Sequence, residues 1–216
     1  LRNAGGVTQS LLPAAINNQQ SSIVSDEVRQ WIKEGRVFHG WDGVLTTPAT
    51  FTAIDLVRQT PNFMIRVPTG IVIVPIFSLV AFEATGAAVM QVLISACNND
   101  PGTSNMTAIT PTNANTRFGS ASRVSVYNAG TGATGTAPTG VVDLFRHYQQ
   151  VDNDAITAAP TPPIIYNPLK GMGMECAIGN NSAVNAFLFY AVNGTSSTGF
   201  SIHHWAEFTY AEYYGA

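Results

Sequence analysis

The sequence predicts an all-β fold, an antiparallel two-sheet sandwich arranged as an eight-stranded jelly roll with one short N-terminal helix. Apolar runs rich in β-branched and aromatic residues recur along the 216 residues, and such residues favour strands. Segments rich in Gly, Pro, Asn and Thr separate these runs, with no regular alternation of strands and helices. Long loops between strands favour a jelly roll over an immunoglobulin fold, whose Cys–Trp–Cys spacing is absent.

The chain divides into an N-terminal arm, residues 1–22, and a single jelly-roll domain, residues 23–216. The arm is polar and shows no hydrophobic period. The one clear helix is predicted at Ser25–Glu34, because Ser25 can cap it, acidic residues follow in its first turn and Gly35 can end it.

The stretch Met64–Cys97 contains two β-branched apolar runs, and we expect them to pair as one long hairpin that turns at Thr85 and Gly86. Pro75 lacks an amide proton, which predicts a bulge, a bend or an edge at that position. The segment Ile71–Ala81 is too apolar for a strand with a wet face. We therefore expect loops or a neighbouring copy to cover its second face.

Further strands are predicted on the same grounds, at Arg36–Thr46, Phe51–Arg58, Phe63–Val67, Arg123–Tyr127, Val141–Val151, Met172–Ile178, Val184–Val192 and Phe200–Tyr214. Two long loops, Asn98–Gly119 and Ala129–Gly140, are predicted between strands.

Composition limits the functional classes. Only 11% of the residues are charged, against about 25% in ordinary soluble domains. Charge is depleted in the cores of protein interfaces, so this composition favours self-assembly. The net charge of −3 and the absence of a Lys/Arg run give no sign of a whole-chain nucleic-acid binder. The longest apolar run, Ile71–Phe82, is too short for a membrane-spanning helix.

No nucleotide-binding loop, nucleophile elbow or zinc motif occurs, so no catalytic, cofactor-binding or metal residue is predicted. The four histidines are dispersed, and the adjacent pair His203 and His204 should point to opposite faces of a strand. The two other histidines are His39 and His147. Glu207 and Glu212 should also lie on opposite faces.

Two loops rich in carboxylates and amides, Asn98–Asp100 and Asp152–Asp154, could offer oxygen ligands to Ca²⁺ through Asp100, Asp152 or Asp154. Neither loop has EF-hand spacing, so turns built on Asn and Asp side chains are the default interpretation. Cys97 and Cys176 are interpreted as small buried hydrophobes, with pairing left open.

The layout resembles that of single-jelly-roll capsid proteins of small icosahedral viruses. The resemblance rests on the arm Leu1–Ser22, the stretch Met64–Cys97, the two long loops and the aromatic segment Phe200–Tyr210. It implies a structural protein, not an enzyme, that assembles in many copies into a shell in the virion and encloses the genome. Side surfaces of the sandwich would then contact neighbouring copies.

One feature departs from that resemblance, because many capsid arms are basic and neutralise nucleic acid. Here Arg2 is the only basic residue before Arg29. The charge of packaged nucleic acid would then be neutralised either by a basic extension before Leu1 or by other means. Two other functions stay open: a secreted or surface binding module, lectin-like or adhesive, that stacks aromatics on sugars, and a cupin-like enzyme.

Overall fold

The computed structural model describes residues 27–43, 48–50, 56–84, 88–104, 106–117, 120–129, 135–151, 162–180, 182–193 and 202–214. Within them the chain forms one helix, α1 (Glu27–Lys33), and a single 3₁₀ turn at Pro168–Lys170. The strands are β1 (Val37–Asp42), β2 (Ala49–Thr50), β3 (Phe63–Val67), β4 (Ile71–Ala84), β5 (Ala88–Cys97), β6 (Thr107–Ile109), β7 (Thr112–Asn113), β8 (Ser125–Asn128), β9 (Val142–Val151), β10 (Ile164–Tyr166), β11 (Asn185–Asn193) and β12 (Ile202–Tyr214).

The strands form two six-stranded sheets, and all their pairings are antiparallel. The first sheet has the order β10-β4-β12-β1-β7, with β2 also paired to β12. The second has the order β6-β8-β3-β11-β5-β9. The predicted all-β class and the antiparallel sandwich are therefore confirmed. The described residues form more strands than the eight that were predicted.

The predicted hairpin is wrong. β4 lies in the first sheet, where it pairs with β12 along its whole length, and β5 lies in the second sheet between β11 and β9. The two apolar runs are strands, but they face each other across the core instead of sharing hydrogen bonds. The predicted bulge is confirmed, because the register between β12 and β4 shifts beside Pro75 and leaves Ile76 without a partner on β12.

A single core joins the inner faces of the two sheets. The ring of Phe208, on β12, stacks on Phe63, on β3, with centroids 4.1 Å apart. Phe187 and Phe189, on β11, contact the same ring edge-on at 5.8 and 5.1 Å. Aromatic pairs in these arrangements add to the stabilisation that burial alone supplies. Strands that are distant in sequence are thus joined through one side chain.

Each sheet also has an outer face. On the second sheet, outward side chains such as Met64, Leu188 and Tyr190 form a separate buried cluster. Met106, Tyr127 and Val141 pack against this cluster. On the first sheet, α1 covers one end of the outer face. The sandwich therefore has apolar side chains on both sides of both sheets.

Other predicted elements are corrected or lie outside the described residues. The helix begins at Glu27, and Ser25, its predicted cap, lies outside the described residues. The segment Met172–Ile178 is not a strand, since only Met172 and Ile178 make isolated bridges there. The strand predicted at Phe51–Arg58 falls partly on residues that are not described, and its last residue begins a turn. The arm 1–22 is outside the described residues.

Candidate functional site

One side of the sandwich exposes large apolar side chains. β10 and β9 are the neighbouring edge strands of the two sheets, and the rings of Tyr166 and Phe145 meet between them at 5.7 Å. The segment after the 3₁₀ turn crosses this side, because the Met174 amide donates to the Leu144 carbonyl at 3.0 Å. The Tyr166 hydroxyl donates to the Met174 carbonyl at 2.9 Å and holds the segment in place.

We call the exposed apolar residues of this side the methionine edge: Val142, Leu169, Met172 and Met174. Met174 is 52% exposed and Val142 is 50% exposed. Contiguous apolar side chains on a surface mark sites of protein association, and Met adapts its shape to different neighbours. The methionine edge is therefore the first candidate for an interface.

The outer face of the first sheet is a second apolar surface. Core residues Phe38, Val80 and Phe208 point inward on their strands, so the alternate residues point outward. We call the outward side chains beyond α1 the tryptophan face: His39, Trp41, Leu79, Ala81, Ile165, Trp205, Glu207 and Thr209.

The strand register places the tryptophan face in rows across the sheet. Trp41 is opposite Glu207, Glu207 is opposite Leu79, and Leu79 is opposite Ile165. In the next row Trp205 is opposite Ala81. Trp41 is 39% exposed and Ile165 is 37% exposed. Glu207 is the only carboxylate among these residues.

At the border with α1, His39 and Thr209 form a polar row. The His39 Nδ1 atom and the Thr209 hydroxyl are 3.1 Å apart. Beyond them Trp31, on α1, meets Tyr213 edge-on, with ring centroids 5.4 Å apart. The Arg36 guanidinium lies over the Tyr213 ring, 4.5 Å from its centroid. Aromatic and cation–π contacts therefore hold α1 against this end of the sheet.

A cavity of about 340 Å³ opens at the end of the sandwich next to α1. Its charged lining consists of Glu34, Arg36, Arg123 and Glu212. Glu34 and Arg36 form an ion pair. The buried Glu212 carboxylate accepts hydrogen bonds from the Arg123 amide at 3.1 Å and from the Ser122 hydroxyl. Both carboxylates of the lining therefore already accept hydrogen bonds from groups of the protein itself.

The described histidines are dispersed, as predicted. His147 is exposed beside Phe145, and the His203 side chain is outside the described residues. His204 is fully buried, and its Nε2 atom is 2.7 Å from the Asp42 carboxylate. The sequence contained no local signal for this pair, because Asp42 reads there as part of a turn with Gly43. Among the described residues, no three His, Cys, Asp or Glu side chains gather into a metal-binding group.

Only one of the two loops that were predicted to offer oxygen ligands lies within the described residues. The Asp100 carboxylate forms an ion pair with Arg66, so its charge is compensated by a guanidinium. Asp152 and Asp154 are outside the described residues. The cysteines are free: Cys97 is buried and Cys176 half-buried. Burial raises the pKa of each thiol to about 11, which keeps both protonated at neutral pH.

No protein-family model, curated protein or solved structure matches the chain. Among the described residues, no helix has the length and hydropathy that a membrane span requires.

Proposed function

We propose that the protein is a viral capsid subunit with a jelly-roll fold, which assembles in many copies into an icosahedral shell around a genome. The proposal makes it a structural protein of the virion and not an enzyme. The observation that carries it is the methionine edge, an exposed apolar surface on a side of a sandwich whose strand order fits a jelly roll.

The strand order supports the jelly roll. β2, β6, β7 and β8 have two to four residues each and are treated as additions to the sheets, whereas β10, with three residues, is kept because it forms the edge of the first sheet next to β4. The other eight strands, numbered along the chain from first to eighth, occur in the order 6-3-8-1 in one sheet and 2-7-4-5 in the other. Two interleaved Greek keys produce this alternation between sheets. A fold alone does not specify a function, so the assembly proposal depends on the surface.

The surface supports assembly through burial of apolar side chains. The four side chains of the methionine edge are apolar, with the exposed Lys170 and Glu175 next to them in the sequence, and charged residues are rare in the whole chain. Met is enriched in protein interfaces, and a patch on the side of a sandwich can meet a neighbouring copy related by symmetry. The packaged nucleic acid is part of the proposal and is detected by the ultraviolet absorbance ratio of purified particles.

Light scattering and negative-stain microscopy of the purified full chain test the assembly. We expect uniform closed shells, and the double variant M172E/M174E should yield smaller species with an unchanged circular dichroism spectrum. Both side chains are exposed, so the substitutions leave the core intact. The matched control T107E/T110E adds the same charge at exposed positions away from the edge and should still assemble. A chain that stays monomeric at high concentration would contradict the proposal.

A sugar-binding module is the second candidate, and the exposed Trp41 ring favours it. Trp41 lies beside the Glu207 carboxylate and the His39 ring, which together resemble a stacking surface with polar neighbours. The Tyr213 ring offers no such surface, because it packs against both Trp31 and Arg36. Binding to a glycan array that is lost in W41A would support this function. A cupin-like enzyme would need gathered histidines, and the described histidine side chains lie apart.

A further inference from the structure

α1 covers only one end of the outer face of the first sheet, and the tryptophan face is the part beyond the helix. Trp31 and its neighbours Val37, Ile76 and Ala211 are buried under the helix. Further along the strands, the row that runs from Trp41 to Ile165 is partly exposed. The surface under α1 and the tryptophan face are therefore parts of one outer face.

The chain itself supplies a segment that can do so. Residues 1–26 precede α1, and within them Leu11–Ile16, Leu-Leu-Pro-Ala-Ala-Ile, is the longest apolar run. Ten residues separate Ile16 from Glu27, which extended chain can stretch over about 33 Å. From Val37, under α1, to Trp41 the distance along β1 is only about 13 Å. The run can therefore reach every row of the tryptophan face.

The run Leu11–Ile16 carries no charge, which suits an apolar face. Arg2 is the only charged residue of the first 25 residues, and Glu207 is the only carboxylate of the tryptophan face. A segment that buries Leu and Ile side chains on this face therefore brings no second negative charge to it. The proline in the run also fits, because an extended segment laid on a sheet face needs no ladder of amide donors.

We propose that Leu11–Ile16 of the same chain packs on the tryptophan face, continuing the layer that α1 begins. The same chain is the source because α1 holds the segment beside the face at a high effective concentration. This inference goes beyond the proposed function and does not depend on it, since a single folded chain suffices. In a shell, the outer face of the first sheet would then be covered before neighbouring copies meet.

Disulfide trapping in the full chain tests the contact and its source. The double variant L12C/L79C should form a disulfide within one chain, seen as a reducible change in gel mobility at the mass of a monomer. The variant L12C/Y148C is the control, because Tyr148 is exposed on the other sheet. L12C alone measures any reaction with Cys97 or Cys176. Covalent dimers would assign the segment to a neighbouring chain, and a yield no higher than the control would show no contact; either result overturns the proposal.

Tryptophan fluorescence gives an independent readout. All three tryptophans of the protein, Trp31, Trp41 and Trp205, lie on or border this face. The variant L11D/L12D should shift the emission to longer wavelength and increase quenching by iodide, with an unchanged far-ultraviolet circular dichroism spectrum. N17D/N18D adds the same charge to a polar part of the arm and should leave both signals unchanged. Equal quenching in L11D/L12D and the wild type would overturn the proposal.

Discussion

At the scale of single residues, the Asp143 carboxylate connects several side chains on the outer side of the second sheet. Arg58 donates two hydrogen bonds to it, at 2.9 and 3.1 Å, and the Ser95 hydroxyl donates a third at 2.8 Å. Arg146 pairs with the same group. The hydrogen bonds from Arg58, followed by those from Arg146 and Ser95, hold the pKa of the carboxyl far below its usual range.

We expect D143N to lower the free energy of unfolding by about 1–3 kcal/mol at pH 7, because hydrogen bonds to a charged group are lost. The folded-state pKa is depressed, so the wild type has this stability above the unfolded pKa of about 3.9 and loses it as the pH falls further. The difference between the two proteins should therefore shrink at pH 2.5, in urea titrations at both pH values. The exposed E175Q is the control, and an equal loss at both pH values would refute this role.

The residues around Asp143 also show what the sequence could not reveal. Strict alternation predicts Leu144 on the same side as Arg146 and Tyr148. The register between β5 and β9 shifts at this point, and Leu144 is instead buried in the core, with Phe145 packed beside it. A bulge depends on how two distant strands fit together, so a pattern on one strand cannot locate it. The pairing of His204 with Asp42 was likewise not predicted, because the two residues lie on different strands that are distant in the chain.

At the scale of an element, α1 depends on Trp31. The residue is 7% exposed and packs on Tyr213 and Val37. The pKa of Tyr213 is raised to about 12, chiefly by burial; Arg36 lowers it, and Glu27 and Glu34 raise it. Below pH 10 the folded state gains stability from the protonated phenol, and this is lost as the pH rises toward 12.

We expect W31A to destabilise the protein by about 3–5 kcal/mol, as for other buried aromatic side chains, and to lower the pKa of Tyr213 toward its ordinary value. The titration is followed by tyrosinate absorbance, as the difference between W31A and W31A/Y213F. W31F keeps a ring at the contact and should change both quantities less. If the pKa of Tyr213 were the same in W31A and the wild type, the helix would not be what buries it.

The elements differ in how far the sequence predicted them. Apolar runs located β4, β5, β9, β11 and β12 well, because their residues favour strands in any pairing. The partners of β4 and β5 were missed, because a short gap suggests a hairpin whereas each strand pairs instead with strands distant in sequence. The methionine edge was also not predicted: Met172 and Met174 were placed on a strand, and their exposure follows only from how that segment crosses β9.

At the scale of the whole molecule, one core holds both sheets, and its composition could be predicted better than its geometry. The strands β11 and β12 were predicted from apolar and aromatic runs, and these strands supply several aromatic side chains of the core. That Phe208 would sit among Phe63, Phe187 and Phe189 could not be predicted, because the contact joins strands of two different sheets and β3 is far from β11 and β12 in the chain.

This shared core predicts that the two sheets unfold together. F208A should lower the free energy of unfolding by about 3–5 kcal/mol, because it removes a ring that contacts both sheets and leaves a cavity. Tryptophan fluorescence reports on the first sheet, and a dye on Y148C reports on the second. In urea, both probes should give the same midpoint in Y148C and the same lower midpoint in Y148C/F208A, with a smaller change for F208L. Two separate transitions would mean that each sheet is stabilised by its own outer cluster, and that the aromatic contacts through Phe208 do not couple them.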